Sequence, residues 1–337
     1  MRYEDRSVRG QVALLRPTAW EALRQYPIAV ASLRLLNHGF NSTFRVDTTD
    51  GRRFALRLNV NSRRTDAFVG AEMAWLAALS DETDLWVPTP QRTRDGALLA
   101  HVDCSPLGRR VPAALFSWLP GSDLGDEATP DQMRAVGRAA ATLHAHGELW
   151  RPPPGTELPA IDKVLMDIEY ILDADHPLLS TADHVLLDDV FAHLQGHHDA
   201  MFAGVARQPL HADLHIWNLR WCRGRLSVLD FDDSGIGVPV QDLAICAYYL
   251  RDDAAQEAAL LEGYQQLRPL PPFTTEQYEA LVAGRNLVLL NDVISTTNAE
   301  FLEMLPRYVP NSITKLRAYM ETGVLRHHVP GLIPPPS

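Results

Sequence analysis

The hydrophobic pattern of this chain changes period about a third of the way along, and that change restricts it to a mixed architecture. Residues 31–37 (ASLRLLN), 43–48 (TFRVDT) and 53–60 (RFALRLNV) read as strands, separated by Gly39 with Asn41 and by the tight-turn dipeptide Asp50-Gly51. Residues 66–80 (DAFVGAEMAWLAALS) place apolar side chains at helical spacing. The stretch 87–103 reads as strands broken by turns, and ALFSWLPG at 114–121 as an apolar strand stopped by Pro120-Gly121. Beyond it helical spacing takes over. Thr129, Pro130 and Gln132 supply an N-cap, a proline at the first helical position and a capping-box partner, and the spacing predicts a helix to about His146, with Gly147 as its stop. Further helices are expected over 162–174, over 185–203 and through most of 239–326. The fold class expected is therefore α+β, with a small strand-rich lobe carrying one long helix and a large, mainly helical second lobe.

Charge and cysteine content remove several function classes. A formal net charge of -11 leaves no basic stripe to displace phosphate counterions, so nucleic acid is not an expected partner. The 3 cysteines are far apart and without metal-ligand spacing, which argues against a disulfide framework. MRYEDRSVRG lacks an apolar signal core, and no run approaches membrane-spanning length. A cytoplasmic protein with no membrane partner is expected, as a monomer or homodimer.

One segment carries the chemistry. Residues 208–233 read QPLHADLHIWNLRWCRGRLSVLDFDD: a polar loop, two short apolar strands turning at Arg223-Gly224, and an acidic end. A loop followed by an antiparallel hairpin brings Asp213, Asn218 and Asp230 close together. Phosphoryl transfer from ATP needs such a trio. Magnesium takes hard oxygen ligands, here the Asp230 carboxylate and the Asn218 amide oxygen, while Asp213 accepts the proton of an attacking hydroxyl.

HADLHIWN resembles the H-x-D-x-x-x-x-N catalytic loop of the aminoglycoside-phosphotransferase and choline-kinase superfamily, and Asp230-Phe231-Asp232 resembles its D-F-D segment. Gly237-Val238-Pro239 and Gln241-Asp242-Leu243-Ala244 follow in the same order. The resemblance implies a bilobal protein-kinase-like fold, with a nucleotide-covering lobe at 1–118 and a lobe carrying the catalytic loop and acceptor site at 119–337. It implies ATP and Mg2+ as cofactors. It casts LNHGFNSTFRV as the phosphate-covering turn, with Gly39, Asn41, Ser42 and Thr43 toward the phosphates. Arg57 stands where the family carries its phosphate-binding basic residue, with Glu72 as its ion-pair partner; arginine here replaces a compact ammonium with a planar fork. Val87-Pro88-Thr89-Pro90 matches the entry to the middle strands, and Phe116, Ser117 and Trp118 fall at the hinge that binds adenine. His211 braces the loop, and Asp242 supports it.

The acceptor stays open at this level: the hydroxyl of an aminoglycoside, an amino alcohol such as choline or homoserine, or a sugar derivative. A cationic acceptor could be lined by Asp252, Asp253, Glu257, Asp292, Glu300 and Glu303, which read equally well as solvated helix faces. GVPVQDLA is also similar, over a short length, to the G-P-x-x-Q-D-L stretch of protein Ser/Thr kinases of bacterial stress-response type. His211, Asp213 and His215 also spell a possible metal-hydrolase cluster, and arginine at 57 makes a nucleotide-binding pseudokinase conceivable. His193, His197 and His198 read as a solvated face, His215 as packing or loop polarity, and the tryptophans at 75, 86, 118, 217 and 221 as core or lobe-interface residues.

Overall fold

The computed structural model describes residues 3, 5–62, 64–125, 127–173, 175–296 and 299–335, with the backbone alone at 299 and 300. The chain separates into two compact units and passes between them repeatedly. One comprises Met1–Ser122, Trp150–Leu158 and Arg220–Asp232; the other comprises Asp123–Leu149, Pro159–Leu219 and Asp233–Ser337.

The first unit holds α1 (Val8–Arg24), β1 (Val30–His38), β2 (Ser42–Thr48), β3 (Arg53–Leu58), α2 (Asp66–Glu82), β4 (Ala100–Cys104) and β5 (Arg109–Ser117). Its strands form one five-stranded antiparallel sheet in the order β1-β2-β3-β5-β4. Alternation along the strands sorts the side chains onto two faces. Phe44, Val46, Leu56, Leu58 and Leu115 turn to a core shared with Leu15, Ala19 and Leu23 of α1. Thr43, Arg57 and Ala114, opposite one another in the β2-β3-β5 register, take the other face.

Helix α1 corrects the expectation of a lobe with one helix. Pro17 lies in its interior, where it removes a backbone donor and obscures the helical pattern. The burial of Leu15, Ala19, Ala22 and Leu23 against the sheet outweighs that cost. On α2, Trp75 is fully buried; its ring lies 6.0 Å from that of Trp150 and 5.6 Å from that of Phe231.

The short β6 (Ser122–Asp123) precedes α3 (Pro130–Leu149), α4 (Thr181–Phe202), β7 (Gln208–Leu210), the hairpin β8 (Leu219–Cys222) and β9 (Arg225–Val228), and β10 (Gly235–Gly237). Then come α5 (Val240–Leu250), α6 (Ala254–Gln265), α7 (Thr275–Val293) and α8 (Ala299–Thr322). The hairpin turns on Arg223 and Gly224 at φ 50° and 80°, the positive pair that a two-residue turn of this twist requires.

Two expectations in the second unit fail for tertiary reasons. Gly147 does not stop α3, which runs on to Leu149. Its role is close approach: a Cβ at Gly147 would stand 2.7 Å from the Pro209 carbonyl oxygen. The helix expected over 162–174 is absent from its described residues. Met166 takes a left-handed φ of 58°, and the Asn291 side chain captures the backbone by accepting from Ile171 N at 2.9 Å and donating to Glu169 O at 2.9 Å. Residue 174 lies outside the described residues.

Candidate active site

In the first unit, the sheet face opposite the core centres on Arg57. Its guanidinium grips Glu72 of α2 in two parallel hydrogen bonds, Nη1 to Oε1 at 2.8 Å and Nη2 to Oε2 at 2.5 Å. Both residues are buried, so this is no surface ion pair. Burial by itself would lower the pKa of Arg57, but Glu72 overrides it and, with Asp232 and Asp230, raises it above its ordinary value. Burial also pushes the Glu72 carboxyl up against the pull of Arg57. With a two-pronged guanidinium in place, the pair is ionised.

The same unit gathers the acidic end of the β8–β9 hairpin. Asp230 adopts φ 60°, a conformation that costs a non-glycine residue on the order of 1–3 kcal/mol. Asp232 accepts from Asn41 Nδ2 at 2.7 Å, while its carbonyl accepts from Arg64 Nε at 2.9 Å. Asn41 Oδ1 is buried with no hydrogen-bond partner. Carboxylates and an orphaned amide oxygen are hard donors of the type magnesium takes.

The other residues assigned to the nucleotide are distributed as follows. Gly39 has ordinary backbone, and a Cβ there would meet nothing within 4 Å. Ser42 lies on the core face, with its hydroxyl 2.7 Å from His38 Nδ1, whereas Thr43 stands opposite Arg57. Phe116 lies under the Arg57 guanidinium, 5.4 Å from its ring centroid, and Trp118 under that of Arg45 at 5.8 Å. Ser117 is tied to Thr89 by both its backbone N–H (2.9 Å) and its hydroxyl (3.0 Å), so that N–H is already committed.

In the second unit, the loop between β7 and β8 presents Asp213. Ala212 before it sits at φ 64°, held by the Asp242 carboxylate of α5, which accepts from Ala212 N at 2.7 Å and His211 N at 3.1 Å. His144 of α3 approaches the same carboxylate at 3.0 Å. His211 Nδ1 accepts the Asp213 N–H at 3.2 Å. Asn218 Nδ2 donates to Asp213 Oδ2 at 2.7 Å, which leaves the amide oxygen outside that bond.

The remaining partners of Asp213 escaped sequence reasoning. Oδ1 pairs with Arg285 of α7, and Oδ2 lies 3.2 Å from His215 Nε2. Arg285 also donates to the Tyr249 hydroxyl of α5 at 3.0 Å, and the His215 and Tyr249 ring centroids lie 4.7 Å apart with the planes tilted by 35°. Burial alone would raise the Asp213 carboxyl; the Arg285 guanidinium beside it, aided by His215, holds it well below the usual carboxylate range. The one available signal was a lone arginine within the apolar run ALVAGRNLVLL.

Several assignments change. His198 is buried (3% exposed), not solvated, while His215 supplies loop polarity as the partner of Asp213. Trp217 is half exposed at 51%, so it is not core. Asp253 caps α6, and Asp252 and Glu257 are engaged with His328 and Arg251 at 2.8 and 3.5 Å. The Glu300 side chain lies outside the described residues. Among the described residues no group of three or more His, Cys, Asp or Glu side chains is arranged to hold a metal, and His211, Asp213 and His215 bond as above instead.

Residues 32–281 match the model of the phosphotransferase enzyme family. A homoserine kinase of Acidiphilium cryptum is 29% identical over 297 residues, covering 84% of this chain and 87% of that protein. A homoserine kinase of Azorhizobium caulinodans is 30% identical, covering 74% and 75%. Among solved structures, a microcompartment-associated aminopropanol kinase superposes with a TM-score of 0.75 at 25% identity, covering 93% of this chain and 100% of that one. An amicoumacin kinase in complex with AMP-PNP, Ca2+ and Ami superposes with a TM-score of 0.74, covering 92% and 96%; at 16% identity that likeness is one of fold. The kinase-like α+β architecture expected from the motifs is thereby established. No helix among the described residues is long and apolar enough to cross a membrane.

Proposed function

This chain belongs to the phosphotransferase enzyme family, and we propose that it moves the γ-phosphate of ATP, with magnesium, to the hydroxyl of a small amino alcohol. The relatives named homoserine kinase and aminopropanol kinase support that acceptor class. One observation carries the reading: Asp213 is held ionised on a strained loop, hydrogen-bonded to the Asn218 amide nitrogen so that the amide oxygen is left for a cation. Asn218 and Asp230 would hold the magnesium, which when bound neutralises triphosphate charge.

Arg57, fixed by Glu72, presents a permanent positive charge to the phosphates beside Thr43, Gly39 and Asn41, whereas Ser42, turned to the core, does not take part. Phe116, Ser117 and Trp118 line the adenine side. The lobe of residues 1–118 covers the nucleotide; residues 119–337 supply the catalytic loop and the acceptor site.

Asp213 accepts a hydrogen bond from the acceptor hydroxyl and orients its oxygen in line. Because its pKa is depressed, Asp213 is a weak base. It therefore takes the proton late, once the forming bond to phosphorus has made that proton acidic, which suits a loose transition state.

The test is ATP consumption by the purified chain against amino alcohols, sugars, aminoglycosides and a generic protein. Turnover with a small amino alcohol supports the reading. Phosphate transfer to protein alone would replace it with a protein kinase, and no magnesium-dependent turnover with any acceptor would end it.

A further inference from the structure

His215 is engaged through both of its ring nitrogens, each on a different part of the catalytic loop. It stands at the start of the single turn Ile216–Asn218, which closes with the Asn218 N–H on the His215 carbonyl at 2.9 Å. The Trp217 N–H donates to His215 Nδ1 at 3.2 Å and so caps that turn. A backbone N–H can only donate, so Nδ1 accepts and the ring proton is left on Nε2. Nε2 lies 3.2 Å from Asp213 Oδ2, to which it donates. The tautomer is therefore set by the backbone of the same loop that carries Asp213.

The consequences fall on both ends of the loop. Asp213 Oδ2 accepts from Asn218 Nδ2 and from His215 Nε2, which fill its lone pairs. Oδ1 carries the Arg285 guanidinium and keeps capacity for a further donor. An incoming hydroxyl is thereby directed to Oδ1. At the other end, the cap on Nδ1 fixes the turn that carries Asn218. A side chain that only packed would need neither nitrogen in a set protonation state.

We propose that His215 is a positioning residue that couples the two halves of the catalytic loop. Through Nε2 it fixes which oxygen of Asp213 receives the acceptor hydroxyl, and through Nδ1 it fixes the turn that presents Asn218 to the metal. This inference rests on the roles given above to Asp213 and Asn218. Losing the Nε2 contact also makes Asp213 a stronger base. A proton that is taken late gains little from that basicity, so the loss of orientation governs.

Two substitutions separate the two contacts. An Asn side chain offers an acceptor near the Nδ1 position but does not reach Asp213; a Gln side chain offers an N–H near Nε2 but no cap. His215→Asn should lower kcat for transfer to the amino alcohol that wild type uses about 10- to 100-fold, the worth of a hydrogen bond to a carboxylate. Its magnesium-dependent affinity for AMP-PNP should stay within about twofold. His215→Gln should weaken that affinity about fivefold and lower kcat less than His215→Asn does. Each variant keeps one contact, so each controls for the folding of the other. In wild-type protein a long-range proton–nitrogen correlation spectrum should show His215 protonated at Nε2 and bare at Nδ1, its signals assigned by their loss in His215→Gln. A proton on Nδ1, full kcat in His215→Asn, or equal losses of kcat and affinity in the two variants overturns the inference and leaves the kinase reading standing. If no acceptor is phosphorylated, the kinase reading falls, and the tautomer with the split in affinity still decides whether His215 couples the loop.

Discussion

The two units each bury an arginine–carboxylate pair, and the pairs are built to different ends. On the sheet side, Arg57 and Glu72 satisfy each other through both prongs of the guanidinium and both carboxylate oxygens. On the loop side, Arg285 meets only one oxygen of Asp213 and shares its donor with Tyr249, while Nε is buried without a partner in both arginines. The first pair is closed and therefore suits a fixed charge. The second is open, because Asp213 Oδ1 keeps lone-pair capacity for a further donor. A buried ion pair is weak evidence of stability in itself; what distinguishes these two is how completely each is satisfied.

Substitution at the two carboxylates probes that difference most sharply. Asp213→Asn should lower kcat by about 10³- to 10⁴-fold while nucleotide affinity stays within about twofold, as read by ADP release and by nucleotide titration. Retained turnover would mean that the open pair is not where the acceptor is oriented. Glu72→Gln should instead act on the fold, because it strands a buried guanidinium; a loss of about 3–5 kcal/mol in urea unfolding is expected. A loss under about 1 kcal/mol would show that the closed pair is not closed in solution.

Titration separates the sides further. His198, which lines a cavity with Arg285 on the open side, is depressed from 6.5 to about 4 by burial, so the unfolded chain takes up a proton that the folded chain refuses. Stability from this group is complete above pH 6.5 and is lost as pH falls toward 4, about 2 kcal/mol of it between pH 7 and 5. Urea midpoints at those two pH values should show the loss in wild type and not in His198→Gln. A comparable effect, on stability alone, belongs to a site outside both pairs. Gly147→Ala drives a methyl into the Pro209 carbonyl and should cost about 1–3 kcal/mol with kcat unchanged.

The closed pair was legible in the sequence and the open one was not, for a physical reason. Arg57 and Glu72 lie 15 residues apart on a strand and the helix after it, a spacing that the family resemblance fixes. Arg285 lies 72 residues beyond Asp213, and only the packing of α5 and α7 decides which loop it meets. The sheet was legible because hairpin turns and strict alternation are local. Helix α1 was hidden by Pro17, and the helix expected over 162–174 was displaced by Asn291, which bonds that backbone from more than a hundred residues away. Local chemistry was readable; a contact made by distant helices left only a lone arginine in an apolar run.

Trp75 has a consequence for anyone who would divide this protein. Its indole is sealed by Trp150 and Phe231, which return to the first unit from far along the gene. A fragment cut at residue 122 would keep all five strands of the sheet and still expose that indole to water, inviting aggregation. Split-protein or domain-swap designs on this scaffold would have to carry residues 150–158 and 220–232 along with the sheet.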